Sequence, residues 1–225
     1  MSCVRVLSTA AALAIAGCIA TAQTTVTNVF ASLNKVIPDG QPTGVSDTEN
    51  LTFSGPGLVS ITDLQVTLTI ANGYNGDFYA YLVHDGGFTV LLNRVGRTAS
   101  NPTGYSDAGM DVTFSASGND IHDYRNFSPI FNGDQLTGTW APDGRYVDPE
   151  FVEDTDPQTS LLSSFNGTNP NGTWTLFLAD LDFGSQGTLV NWGLVVTAVP
   201  EPSAWTLLGL GGFALGMRLL RRRTA

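Results

Sequence analysis

The feature that most constrains this chain is a period-two alternation of apolar and polar residues, repeatedly cut short by glycine turns. Leu64, Val66, Leu68 and Ile70 alternate with Gln65, Thr67 and Thr69; Trp174, Leu176 and Leu178 repeat the pattern, as do Val190, Trp192, Leu194 and Val196. Successive side chains of a strand point to opposite faces, so this spacing buries one face and wets the other. Between the runs stand Asn72-Gly73, Asn75-Gly76, Asp85-Gly86-Gly87, Asn132-Gly133, Asn166-Gly167 and Asn171-Gly172, where glycine supplies the positive φ of a tight turn. No stretch sustains a helical period, which excludes a helical bundle. A chain of 225 residues is long enough for one medium domain with its own core. The expected fold is all-β, a sandwich of short strands.

Two regions call for separate expectations. The stretch from Asp77 to Asn93 is almost continuously apolar on either side of Asp85-Gly86-Gly87, and this predicts a hairpin of two central, core-buried strands, Phe78–His84 and Phe88–Leu92. Residues 97–164 alternate poorly and are rich in acid and proline, which predicts long loops with short strands.

Both ends of the chain read as addresses. Met1 to Ala22 is built like an export signal: Arg5, an apolar stretch from Val6 to Ile19, and Ala20-Thr21-Ala22 before Gln23, with cleavage expected after Ala22. Ile15-Ala16-Gly17-Cys18 also fits a lipoprotein box, with lipid on Cys18, and that alternative stays open. Cys3 and Cys18 are the 2 cysteines, so the exported domain has no disulfide and must draw its stability from the core or from bound ions. At the other end, Val199-Pro200-Glu201-Pro202 precedes an apolar segment from Ser203 to Leu220, interrupted by Arg218, and then Arg221-Arg222-Arg223. As a helix this segment is about 27 Å long, which predicts one short transmembrane helix over 203–220 with the basic tail in the cytoplasm.

That order of elements resembles the PEP-CTERM sorting signal of Gram-negative bacteria. The resemblance implies exosortase as a partner, an inner-membrane stage, and delivery to the cell surface or an extracellular polysaccharide matrix. The sorting residues would be Val199, Pro200, Glu201, Pro202, Arg221, Arg222 and Arg223. The chain thus divides into a signal peptide at 1–22, an exported domain at 23–198, and the sorting signal at 199–225.

Within the exported domain, several fragments occur in a suggestive order: Ile37-Pro38-Asp39, Gly44-Val45, Gly76-Asp77-Phe78, Gly138-Thr139-Trp140-Ala141-Pro142, Phe165-Asn166-Gly167, Gly172-Thr173-Trp174-Thr175-Leu176 and Gly187-Thr188-Leu189. Together they resemble the P domain (P/Homo B) that follows the subtilisin-like catalytic domain of proprotein convertases. The resemblance, over about residues 35 to 197, implies a jelly-roll-like β-sandwich of about eight strands that supports a neighbouring protease without being catalytic. The P-like region begins close to the predicted mature start, so no protease domain is expected ahead of it. The expected protein is a non-catalytic structural or binding module; the alternative is an accessory module in proteolysis, partner or regulator of a subtilisin-like serine protease.

Charge and residue types bear on the chemistry. The net charge is -10, and the five basic residues from Lys35 to Arg145 are scattered, which excludes a nucleic-acid role. A Ser/His/Asp hydrolase needs a base beside a nucleophile; His84 and His122 each precede an Asp, and neither has a Gly-x-Ser-x-Gly elbow to serve, so both are expected to be turn or surface histidines. With no mature Cys and no His-Glu-x-x-His, a catalytic zinc is not expected.

The carboxylates are mostly Asp, 16 against 4 Glu, the short acid that suits both turns and oxygen-lined cation sites. Calcium is the expected cofactor, as a structural ion, and its candidate ligands are Asp77, Asp107, Asp111, Asp180 and Asp182, with Asp120 and Asp123 a looser pair. Asp148, Glu150, Glu153, Asp154 and Asp156 read as a solvated acidic loop that stays ordered only if a cation joins it. Trp140, Tyr146, Tyr74 and Tyr105 lie in or beside predicted loops, where exposed rings could stack on sugars of an exopolysaccharide; Trp140 fits packing equally well. Asn50, Asn126, Asn166 and Asn171 form N-x-Ser/Thr triplets that read as turn-rich loops.

Overall fold

A computed structural model describes residues 23–53 and 58–200. The predicted signal peptide, the Glu201 to Ala225 part of the sorting signal and the predicted helix at 203–220 lie outside these residues. Among the described residues no helix is long and apolar enough to cross a membrane.

The described residues build eleven strands: β1 (Thr24–Phe30), β2 (Lys35–Val36), β3 (Gln41–Leu51), β4 (Leu58–Tyr74), β5 (Phe78–His84), β6 (Gly87–Asn93), β7 (Ala108–Asp120), β8 (Ile130–Asn132), β9 (Gln135–Ala141), β10 (Gly172–Asp180) and β11 (Thr188–Pro200). They form two sheets. The larger runs β1-β11-β4-β7-β9-β8, with β2 also on β11; the smaller runs β3-β10-β5-β6. Pairing is antiparallel except for β7 on β9. The inner faces share one core, in which Leu64, Val66, Leu68 and Ile70 of β4 meet Trp174, Leu176 and Leu178 of β10 and Trp192, Leu194 and Val196 of β11. The all-β sandwich expected from the alternation is the fold observed.

Three local features depart from the sequence reading. Asn72-Gly73 is not a hairpin turn but a bulge near the end of β4, with both residues at positive φ and the register against β7 shifting between Ala71 and Tyr74. A second bulge between Leu189 and Asn191 slips the phase of β11, so Leu189 is buried and Val190 only half-buried. Residues 108–120, expected to be loop-rich, form the long strand β7; Met110, Val112 and Phe114 face the core while Asp111 and Thr113 alternate with them. That alternation is legible, but the acid and glycine around it masked it.

The hairpin β5–β6 also needs correction. Asp85 and Gly86 make the turn at φ 43 and 80, and Phe78, Ala80 and Leu82 fill the core. β6 lies at the edge of its sheet yet is buried on both faces from Thr89 to Asn93, because residues 143–160 cover it. The expectation fails on β5, where Tyr79 and Tyr81 are half-buried and Val83 is exposed, with half-buried Phe88 beside them. A run apolar on both sides predicts burial on both sides; on β5 the second face is aromatic and looks outward.

Candidate functional site

The two histidines occupy built positions, and both are buried rather than on the surface. His84 ends β5 and stacks on Trp174 with centroids 3.9 Å apart and planes 6° from parallel. Its Nδ1 lies 2.9 Å from the Thr173 carbonyl and its Nε2 2.6 Å from the Asn169 carbonyl. His122 follows β7 and is fully enclosed; Nδ1 donates to Asp143 Oδ2 at 2.7 Å and Nε2 faces the Arg97 carbonyl at 3.1 Å. An imidazole held by a carboxylate resembles the orienting half of a triad, but the nitrogen that would receive a nucleophile's proton is already committed to a backbone oxygen. Burial disfavours the charged ring, yet the hydrogen bond and charge of Asp143 outweigh it and raise the His122 pKa.

Asp143 belongs to a larger network. Arg145, 3% exposed, makes a bidentate contact with Asp120 at 3.2 and 2.8 Å and reaches Asp143 Oδ1 at 3.4 Å. Its remaining N–H groups donate to the carbonyls of Glu153 and Asp154 at 3.1 and 2.7 Å. Arg97 donates to the carbonyls of Val152 and Glu150. The cations that order the acidic loop 148–156 are therefore two guanidiniums, which hold its backbone, while the Glu153 carboxylate stands 4.0 Å from Arg97 and Asp148 and Asp156 accept amides of the loop itself. Asp120, read with Asp123 as a loose acidic pair, is the ion-pair partner of Arg145.

The remaining carboxylate candidates separate into two groups. Asp107 accepts from Tyr124 Oη at 2.6 Å and pairs with Arg125 at 2.8 Å, while Asp111, on the exposed face of β7, accepts from Thr69 at 2.9 Å. Asp77, Asp180 and Asp182 gather where the 3-10 turn Asn75–Asp77, whose Asn75 amide donates to the Asp107 carbonyl at 2.9 Å, meets the end of β10. The turn is tight because a Cβ at Gly76 would collide with the backbone of Thr103 and Tyr105. Sequence reasoning missed two members of this group, Asp39 and Arg94. Asp39 accepts from the Gly184 amide at 3.2 Å; Arg94, 4% exposed, donates to Asp182 at 3.1 Å and to the Gly76 carbonyl at 3.1 Å, and stands 3.9 Å from Asp77.

One guanidinium among four carboxylates leaves negative charge over. Both oxygens of Asp180 are buried, and no donor meets them in good hydrogen-bond geometry; the amides of Asp182 and Gly40 stand close to them. Burial, with the charges of Asp77 and Asp39, raises the Asp180 pKa to about 7, against a small opposing pull from the amides of Asp182 and Gly40. Burial and Asp182 raise Asp77 to about 6, although Arg94 pulls it down. Asp77 and Asp182 also line a cleft of about 310 Å³ walled by Tyr74 and Phe183. As the side chains stand, no three acids among the described residues close around a common point.

The exposed aromatics fall elsewhere than expected. Trp140 is buried and Tyr105 packs against the core, whereas Tyr146 is 67% exposed and Tyr74 38% exposed. Tyr146 joins the outer face of the smaller sheet, where its ring meets Phe88 edge-on at 5.3 Å. There Tyr81 stacks on Phe177 at 4.8 Å and lies 5.4 Å from Phe88 and 6.0 Å from Tyr79. The neighbouring outward residues Ser46, Thr48 and Thr175 add hydroxyl groups; no charged side chain alternates onto these positions. Burial, reinforced by Tyr146, Tyr81 and Asp143, pushes the Tyr79 hydroxyl up to about 12, so it stays a protonated donor at any ordinary pH.

At the C-terminal end, β11 carries the first sorting residues directly: Val199 pairs with Ser60 and Pro200 with Leu58 on β4. Glu201, Pro202, Arg221, Arg222 and Arg223 lie outside the described residues. The fold is similar to two crystal structures of a serine protease of Aeromonas sobria. The one in complex with its chaperone gives a TM-score of 0.44 at 15% identity over 80% of this chain, and the protease alone 0.43 at 14% over 79%. The chain spans only 28% and 27% of those proteins, and a likeness at this level carries no argument about activity. No curated protein matches the chain. Residues 198–223 match the PEP-CTERM protein-sorting motif, so the sandwich is joined without a break to a signal that implies processing by exosortase and export to a membrane-anchored or surface location.

Proposed function

We propose that this chain is a non-catalytic surface protein whose P-domain-like sandwich works by contact, and that the outer face of the smaller sheet is the contact surface. The observation that carries the reading is the uncharged aromatic patch of Tyr79, Tyr81, Phe88, Phe177 and Tyr146 on a chain of net charge -10. Aromatic rings beside hydroxyl groups offer apolar contact and hydrogen bonding to a partner that is itself uncharged, which is the chemistry of a neutral polysaccharide. Both histidines spend their ring nitrogens on fixed acceptors, which supports a role without turnover.

The full chain is expected to co-sediment with at least one of three neutral polysaccharide probes, cellulose, chitin and starch. The double substitution Tyr81→Ala and Phe177→Ala should weaken that retention at least tenfold while leaving the fold intact by circular dichroism. Retention by none of the probes, or retention indifferent to these two rings, removes the polysaccharide reading. Peptide or ester hydrolysis that disappears in His84→Ala or His122→Ala would defeat the non-catalytic one. For the sorting half, deleting Pro200 to Pro202 is expected to hold the protein in the inner membrane, with fractionation as the readout; unaltered release would refute it.

A further inference from the structure

We infer that Asp180 and Asp77 form the centre of a site for one hard divalent cation, calcium by its chemistry, with Asp39 and Asp182 supplying further negative charge around it. Asp180 is 0% exposed, and its two carboxylate oxygens meet no donor in good hydrogen-bond geometry, with only the amides of Asp182 and Gly40 close by. A buried carboxylate so poorly partnered is a costly arrangement for a fold to hold. The nearest guanidinium does not relieve it: Arg94 is committed to Asp182 and the Gly76 carbonyl and stands 3.9 Å from Asp77. A proton on Asp180 would remove the charge but would leave a hydroxyl and a carbonyl equally unpartnered. A small cation answers both needs, because it neutralises the acid and bonds its oxygens.

The donor set selects the ion. Every candidate ligand is an oxygen, with no histidine or cysteine among them, which favours a hard cation over zinc or copper. Calcium accepts six to eight oxygens in flexible geometry, including backbone carbonyls and water, whereas magnesium demands a near-octahedral shell. Since no three acids converge as they stand, the ion would take Asp180 and Asp77 as its anionic ligands and fill its shell with carbonyls and water. The 3-10 turn beside them carries another unpartnered buried oxygen, Asn75 Oδ1. Asp77 and Asp182 also line the cleft of about 310 Å³, which opens the Asp77 side of the site to solvent.

The test uses the full chain in detergent, stripped with EGTA and titrated with calcium chloride. The melting temperature is expected to rise by about 5–10 °C at a hundredfold excess over Kd, with one ion bound per chain by calorimetry. Asp180→Asn, which keeps the shape but not the charge, should melt above the wild type in EGTA and gain nothing from calcium. Asp77→Asn should also lose the calcium response, and Asp111→Asn, at the exposed position on β7, should keep it. A wild-type melt unmoved by calcium, or a rise that survives in both Asp180→Asn and Asp77→Asn, overturns the assignment.

Discussion

Replacing Arg145 by methionine is expected to cost the sandwich about 3–5 kcal/mol, enough to lower the melting temperature by about 10 °C. The methionine retains much of the volume, so the loss comes from charge and hydrogen bonding. Without the guanidinium, Asp120 loses its bidentate partner and the fully buried Asp143 keeps only His122 and nearby N–H groups. The carbonyls of Glu153 and Asp154 are released at the same time, so the acidic loop should become the first site of cleavage under limited proteolysis. An unchanged melt with an uncut loop would mean that the network contributes nothing. The same cluster carries a pH dependence of definite sign. The folded pKa of His122 is raised, so its contribution is fully present below the unfolded value of about 6.5 and is lost as pH climbs through the folded one. Melting temperatures measured from pH 6 to pH 9 should fall more steeply for the wild type than for His122→Asn; parallel curves would contradict this.

Trp192→Ala is expected to be comparably damaging, at about 3–5 kcal/mol, for a different reason. Its ring is fully buried on β11, one strand in from the edge of the larger sheet, packs 4.6 Å from Phe30 of β1, and donates through Nε1 to Asp47 at 2.7 Å. Asp47 sits on β3 of the opposite sheet and also pairs with Lys35, so one indole N–H ties the two layers together across the core. Alanine opens a cavity and strips a buried carboxylate of a donor. Trp192→Phe separates the two effects: it keeps most of the volume and is expected to cost about 1–3 kcal/mol, the price of the unmet acceptor. Denaturant unfolding of the two variants checks the ordering: a Trp192→Phe variant as stable as the wild type would show that the hydrogen bond to Asp47 carries no stability, and equal losses would show that the cavity carries none.

Much of this architecture was readable because a strand with one buried face writes its burial into its own sequence. Leu64 to Ile70, Trp174 to Leu178 and Trp192 to Val196 needed no partner to declare which side was inside. Bulges defeated the same logic: one extra residue at Val190 or at Asn72-Gly73 reverses the phase, and nothing local distinguishes a bulge glycine from a turn glycine. The candidate site was less legible because its members meet only through topology. Asp77 and Asp180 are joined by pairing of β5 with β10, in which Phe78 faces Asp180, while Asp39 arrives from the turn before β3. Arg94, the one cation among them, follows β6 and offered no motif. The aromatic face was hidden by its own composition, since tyrosine and phenylalanine read the same whether they point into a core or away from it.

The pairing of Thr24 with Ala198 places the beginning and the end of the sandwich side by side. From there β11 and β4 run the length of the body to Thr188 and Ala71, near the turn that carries Asp77. At roughly 3.3 Å per residue this is about 33 Å of strand. Both ends of the sandwich therefore leave from one pole, and the acid-lined cleft stands at the other. Whatever is removed from either terminus changes the chain at that pole without reorienting the cleft.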